Sequence, residues 1–489
     1  MGHPVDVASG TLFHEFTDYV VPGRAPLVFA RRYSTGLIDR PAGMFGPGWA
    51  SPFDMRLRAD LDGFRLVAED GEAEVEFESR LDAVRAGVVA RNLGAFHELR
   101  WDGRRYVVTR WFPDDRAPVQ YAFAEGDAGA WWPLAGRYDT AGIGIDVVRD
   151  AEQRVTSLVQ RREGRALTLA YDRGGRVTAV HVAAGGTSEP AVRYQYDDTS
   201  RLAAVVDRLG QRAEYEYDTR GRLTRETNIA GMTYRFRYDA RDRCVDTSGI
   251  DGFDRQALAF DDVARQTRVT NSLGHVTRYR WNARGQVEAV VSPLGHTSTT
   301  TYDDEGRTVA STTATGATTS YAYDDRGDRV RVVAPTGAVT AYAYDASHRL
   351  VRVTDPVGRE THRTYDAAGR LTRATDMAGG SLTFTYSFTY SEDGDLTVTS
   401  DGVGHRRLFG WTADGTLAYG TDWLGNRADA TFDREGRLTS VRDALGRTTH
   451  IVRDSLGREI ERRFPTAVGR HTAGMRSASR SSSGRSTAG

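Results

Sequence analysis

The sequence predicts an all-β protein: a long ribbon of antiparallel hairpins coiled into a spiral β-shell, with a β-rich N-terminal capping domain. Three observations predict it. A motif returns about every 21 residues, residues alternate with period two inside each repeat, and a Gly-bearing turn signature separates the alternating runs.

The repeat is clearest at Tyr365-Asp366-Ala367-Ala368-Gly369-Arg370-Leu371, with close relatives at Tyr217-Asp218-Thr219-Arg220-Gly221-Arg222-Leu223 and Phe432-Asp433-Arg434-Glu435-Gly436-Arg437-Leu438. Its Asp position runs from Asp172 through Asp197, Asp218, Asp239 and Asp261 to Asp454, mostly at intervals of 21 residues. Chance does not hold such a register over so long a stretch. Ahead of the Asp, residues alternate, with rings spaced by two in several repeats, as in Tyr215 and Tyr217 or Tyr342 and Tyr344, which places them on one face of a strand. Asp-x-x-Gly then makes a tight turn: Asp can accept hydrogen bonds from amides ahead of it, and Gly can adopt positive φ. A second strand follows, as in Arg349–Thr354, and a second turn, as in Asp355-Pro356-Val357-Gly358, closes the repeat. Fourteen such repeats supply on the order of 28 strands, a ribbon of ~130 Å at ~4.8 Å per strand. Open sheets of more than ~10 strands curl, so the ribbon should coil into a wall with a free edge at each end.

Residues 1–145 break the period and hold Trp49, Trp101, Trp111, Trp131 and Trp132. They read as a separate β-rich domain that caps the spiral, because stacked repeats leave an edge that an atypical unit must cover. Residues 146–465 form the array. Residues 466–489, rich in Ser, Arg and Gly, read as a disordered tail.

Composition narrows the function. The 65 basic and 66 acidic residues nearly cancel, which gives no global field for nucleic acid or anionic membrane. Every basic side chain other than histidine is arginine, a planar fork suited to carboxylates. The lone cysteine, Cys244, excludes an intramolecular disulfide. It falls on the apolar wall position shared with Leu223 and Leu371, so it reads as a buried, inert thiol. Met1–Asp6 has no apolar core and predicts no signal peptide, and no run is long and apolar enough to span a bilayer.

Tyr-Asp-x-x-Gly-Arg-Leu at this spacing resembles the YD repeats of the Rhs (rearrangement hotspot) and teneurin-like shell family. Pro4-Val5-Asp6-Val7-Ala8-Ser9-Gly10-Thr11-Leu12, Arg31-Arg32-Tyr33-Ser34 and Phe45-Gly46-Pro47-Gly48-Trp49 resemble the segment that precedes many bacterial Rhs repeats. The resemblance covers about residues 4–465. It implies a β-cocoon wrapped around a C-terminal polymorphic toxin and delivered to competing cells. The family's Pro-rich closing segment is not found after the last repeat, and no toxin follows residue 465, so the chain reads as the N-terminal part of a longer shell. Implied partners are that toxin or the remaining shell segment, on this or another chain, with secretion-system components or a cell-surface glycan as further partners. The implied location is secreted or cell-surface after export by a dedicated system.

Candidate chemistry gives way to structural readings. The repeated Asp residues match turn formation, most with a Gly three residues later. His275 and His296 occupy one repeat position, and His97-Glu98 stands alone. Neither a zinc-type spacing nor a lysine-bearing phosphate loop occurs. No catalytic, cofactor-binding or metal residues are therefore assigned, no cofactor is expected, and no nucleic-acid contact is assigned to this segment. The expected function is a structural shell fragment in interbacterial toxin delivery. A carbohydrate-binding surface module using the aromatic faces is the alternative, and an enzyme comes third.

Overall fold

The computed structural model describes residues 4–465 apart from positions 115, 128, 184–189, 379–381 and 413. The disordered-tail reading of 466–489 lies outside the described residues. The spiral ribbon expected from the repeats is what the chain forms. Among the described residues the only helical elements are the short helix Leu81–Arg85 and three 3-10 turns.

From Ala90–Asn92 to Glu459–Arg463, every strand pairs antiparallel with the next strand in sequence. The ladder thus begins well before the first YD turn and crosses residue 145 without a break, at Gly144–Arg149. Three short strands, Arg56–Ala59, Phe64–Val67 and Glu74–Phe77, join it as a side branch at Trp132–Asp139. Phe13–Val21, Leu27–Ser34 and Trp49–Ala50 form a separate small sheet. Among the described residues Ala90–Asn92 pairs only with His97–Trp101, and Glu459–Arg463 only with Thr448–Arg453. The large sheet is therefore open.

Nearly every YD hairpin carries a bulge, the one at Asp261 being regular. The register shifts between Glu216 and Tyr217, and again between Ala343 and Tyr344 and between Thr364 and Tyr365. The turn backbone explains it. Asp218 and Arg222 close the loop through Asp218 N–H to Arg222 O at 2.9 Å, Gly221 N–H donates to Asp218 O at 3.0 Å, and Gly221 has φ 86°. A tight turn followed by a left-handed Gly is the three-residue hairpin loop that ends in a bulge and strengthens the strand twist. Repeated at most of the YD hairpins, that twist coils the ribbon.

The coil has a measurable length. Trp111 Nε1–H meets Gly327 O, Arg208 meets Glu435, and Arg165 meets Thr416; these partners are 216, 227 and 251 residues apart. At 21 residues per repeat, 216 to 251 residues is ten to twelve repeats per coil. The YD turns from Asp303 onward rest on the edge of the preceding coil, at Gly94, Trp111, Thr140, Arg162 and Arg208. The YD turns of the first coil meet the N-terminal segment instead: Cys244 N–H donates to Gly10 O, Val177 N–H to Met44 O, and Gly46 lies against Ser200 O. The opposite edge of the second coil is bare. Its turns hold Leu273, Leu294, Val357, Val403, Leu424 and Leu445 well exposed.

The core sits where the small N-terminal sheet presses on the first coil. Phe45 packs on Tyr194 and Trp49 on Tyr215, with ring centroids 5.0 and 5.1 Å apart. After Leu258 the only apolar side chains buried among the described residues are Ala289, Leu350 and Ile451. The second coil is a single-layered wall. It draws its stability from nearest-neighbour hairpins and from the seam beneath it rather than from a two-layered core.

Candidate functional site

The YD turn is the unit from which the wall is built. In Asp218 the two carboxylate oxygens divide the work. Oδ1 accepts from the backbone N–H groups of Arg220 and Arg222 at 2.9 and 3.0 Å, and Oδ2 accepts from Arg222 Nε at 2.7 Å. The held guanidinium lies over the ring of Tyr238 in the next repeat, 4.6 Å from its centroid. Tyr238 in turn donates its hydroxyl to Leu223 O at 2.6 Å. Asp, Arg and Tyr thus form a relay that locks this repeat to its successor. The relay recurs with Asp303, Arg307 and Tyr323, and with Asp345, Arg349 and Tyr365. One face of these rings therefore carries an arginine.

Burial alone would raise these Asp carboxyls. The Arg partner and the turn amides outweigh it and hold Asp218, Asp239 and Asp366 below the usual carboxylate range. A depressed carboxyl contributes stability that is complete above its unfolded value, 3.8, and is lost as pH falls through the lower folded value. We expect β-sheet circular dichroism to be retained at about pH 5 and the thermal midpoint to fall steadily below about pH 4. A midpoint unchanged down to about pH 2 would contradict the relay. Asp366→Ala removes turn hydrogen bonds and should cost about 1 kcal/mol. Asp366→Asn, which keeps the Oδ1 acceptor, should cost less in the same melts.

Where the second coil meets the first, the repeat departs from its own pattern. The Arg after the turn Gly is replaced by Asp at Asp328 and Asp395, and the turn Gly by His at His348. Asp395 and His348 face partners across the seam, and Asp328 faces His348. Asp395 receives Arg24 Nη1 at 2.6 Å and Arg162 Nη2 at 2.7 Å. His348, with φ 58°, stacks on Trp111 at 4.2 Å and 4° between ring planes. Its Nδ1 lies 2.7 Å from Asp328 Oδ1 and its Nε2 lies 3.2 Å from Glu98 Oε2. The hairpin tip around Tyr19–Arg24 also reaches the second coil, where Tyr19 donates its hydroxyl to Glu435.

The residues weighed from sequence fall out as follows. Cys244 is fully buried and burial pushes its thiol up to about 12. His275 and His296 lie on the bare edge, each with its backbone N–H bonded to the first residue of its own turn. Glu98 is not solitary; it is half of the seam cluster with His348. Asp328, Asp395 and His348 went unnoticed in the sequence, although breaking the repeat pattern was their signal. No group of side chains suited to hold a metal occurs among the described residues.

This architecture has counterparts. Family models match the chain over residues 2–75 as a domain of unknown function (DUF6531), over 148–287 as the teneurin YD-shell, and over 302–339, 323–360 and 344–382 as the RHS repeat. The chain is an Rhs/YD-repeat protein. Among curated proteins, this Rhs chain is 34% identical over 224 residues to the double-stranded DNA deaminase toxin A of Burkholderia cenocepacia (strain H111). That match takes in 43% of the chain and 14% of the toxin. Among solved structures, the TcdB2-TccC3 crystal structure matches 91% of the chain with a TM-score of 0.51 at 13% identity. TcdB2-TccC3 without its hypervariable C-terminal region matches 89%, also at 0.51, with 12% identity. These two likenesses concern the fold. The Rhs chain spans 28% and 27% of those two chains.

Proposed function

We propose that this Rhs/YD-repeat chain is part of the wall of a toxin-delivery shell: it encloses and carries a toxic domain and does no chemistry itself. The observation that carries the reading is the seam. Ten to twelve repeats return the ribbon onto its own edge, and the N-terminal segment seals the first coil, which is the construction of a container wall. The kinship with a deaminase toxin and with the TcdB2-TccC3 fold supports the same reading. In it, the toxin and the remaining shell belong to sequence outside the described wall, the setting is competition between bacteria, and the protein acts after export, outside the producing cell or at its surface. The cap lies within residues 1–145, and the wall, which begins at Ala90–Asn92, continues through 146–465.

Two measurements test this. Purified chain should show no deaminase, nuclease, protease or glycosidase activity. Cleavage or deamination that copurifies with the chain through successive columns would overturn the non-enzymatic reading. A small folded reporter joined after residue 465, in the context of the longer shell, should resist added protease until the wall is unfolded. Equal digestion with and without the wall would sink encapsulation.

A further inference from the structure

The seam cluster around His348 has a chemistry that the rest of the wall lacks. Most YD turns use Gly at this position, because the left-handed backbone suits a residue without a Cβ; Ser200 and Asp242 also take it in the first coil, with φ 70° and 64°, but neither carries an imidazole. A histidine there carries backbone strain, so its side chain must be held by something. What holds it comes from two other places in the chain. Asp328 stands in the preceding repeat where Arg is the rule, and Glu98 lies 250 residues away in the first coil. The two departures from the repeat therefore meet each other, and His348 also takes a partner across the seam.

Both ring nitrogens face carboxylate oxygens, and both carboxylates are nearly inaccessible, with side-chain exposures of 2% for Asp328 and 8% for Glu98. A neutral imidazole has one N–H and can satisfy only one of them; the other would face a lone pair. The imidazolium donates to both. Trp111 stacks on the ring and closes that side with its indole N–H bound to Gly327 O. The remaining charges that face the cluster are Arg91, 3.6 Å from Glu98, and Arg326, 3.8 Å from Asp328. On its own turn, Asp345 is engaged by Arg349. The neighbouring His97 is pushed down to about 4 by burial and by Arg110, so it stays neutral at ordinary pH.

We propose that His348, Glu98 and Asp328 form a proton-operated clamp that fastens the second coil to the first: charged, it closes the seam; neutral, it releases it. Desolvation lowers the affinity of His348 for its proton, but the hydrogen bonds and charges of Asp328 and Glu98 outweigh it and raise the group above its usual value. The sign follows. A raised histidine contributes stability that is complete below its unfolded value, 6.5, and is lost as pH climbs through the higher folded value. The wall is thus gripped in acid surroundings and eased in alkaline ones, the reverse of the response of the Asp turns, which weaken only far below that range.

Hydrogen–deuterium exchange of the full chain, corrected for intrinsic exchange chemistry, reads the clamp directly. Peptides covering residues 90–111 and 340–350 should lose protection between about pH 6 and pH 9, while hairpins away from the seam do not. His348→Asn, which suits a left-handed backbone, should hold a weaker seam whose protection no longer depends on pH. Asp328→Asn keeps the histidine and should move the midpoint of the transition to lower pH, which tests the clamp even if the first variant fails to fold. Protection that is flat with pH in the parent overturns the proposal. So does a pH profile that persists in His348→Asn, or a midpoint unmoved in Asp328→Asn.

Discussion

Replacing Arg31 by Met is expected to cost about 3–5 kcal/mol, the largest effect of any single change considered for this chain. Arg31 lies in the core that joins the N-terminal sheet to the first coil and is 2% exposed. Its guanidinium meets Asp18 at 2.9 Å, donates to Tyr215 Oη at 2.8 Å, and lies 4.3 Å from the Phe16 centroid and 4.6 Å from that of Trp49. Methionine fills much of the space but leaves the Asp18 carboxylate buried with the Tyr194 hydroxyl as its remaining partner. The loss comes from that stranded charge rather than from lost packing. The double change Arg31→Met with Asp18→Leu should therefore recover most of it, because a buried pair replaced as a whole is close to neutral. Denaturant midpoints and exchange protection of residues 13–34 and 190–217 report both variants. A single variant as stable as the parent, or a double variant worse than the single, would show that the pair does not hold the cap in place.

Gly369→Val is expected to be the next most damaging, and its comparison with Gly358→Val separates two causes. Both glycines have positive φ, 85° and 81°. Valine in either pays backbone strain on the order of 1–3 kcal/mol. Gly358 sits on the bare edge with nothing within 4 Å of a built Cβ. At Gly369 the same atom would lie 2.8 Å from Thr140 O and 3.0 Å from Arg349 Nη1. Two further methyl groups must also be placed against the first coil, so the turn has to lift off the seam. Thermal melts should show a clearly larger loss for Gly369→Val, with exchange rising around residues 138–144 as well as in the mutated repeat. Equal losses would mean that the seam at Thr140 bears no weight.

Much of the wall was legible in the sequence because its causes are local. The Asp-x-x-Gly turn, the alternation and the buried Cys244 each follow from a few neighbouring residues, and the period multiplies the signal. The coil length was not legible, since the meeting of His348 with Glu98 depends on twist summed over many hairpins, and no local pattern encodes that sum. The strands between Ala90 and Tyr171 were likewise visible only in part. Their loops vary in length and only Tyr138-Asp139 carries the Tyr-Asp pair, so no repeating register announces that they already belong to the ribbon. The seam residues could have been found by asking where the repeat disobeys itself: Asp for Arg at 328 and 395, and His for Gly at 348.

The way the ribbon rests on itself also limits how such a wall can change its length over evolutionary time. Suppose one more 21-residue unit were duplicated between Asp366 and Ser391. Every later turn would arrive one station beyond its present seat: Asp395 would pass Arg24 and Arg162, and Glu435 would pass Arg208 and Tyr19. A duplication in the interior is thus a change of thread along the whole screw, and mismatched charges would mark it at once. Units added beyond Arg463 displace no existing pair. Walls of this kind should lengthen at the open end, while the coil already seated keeps its count.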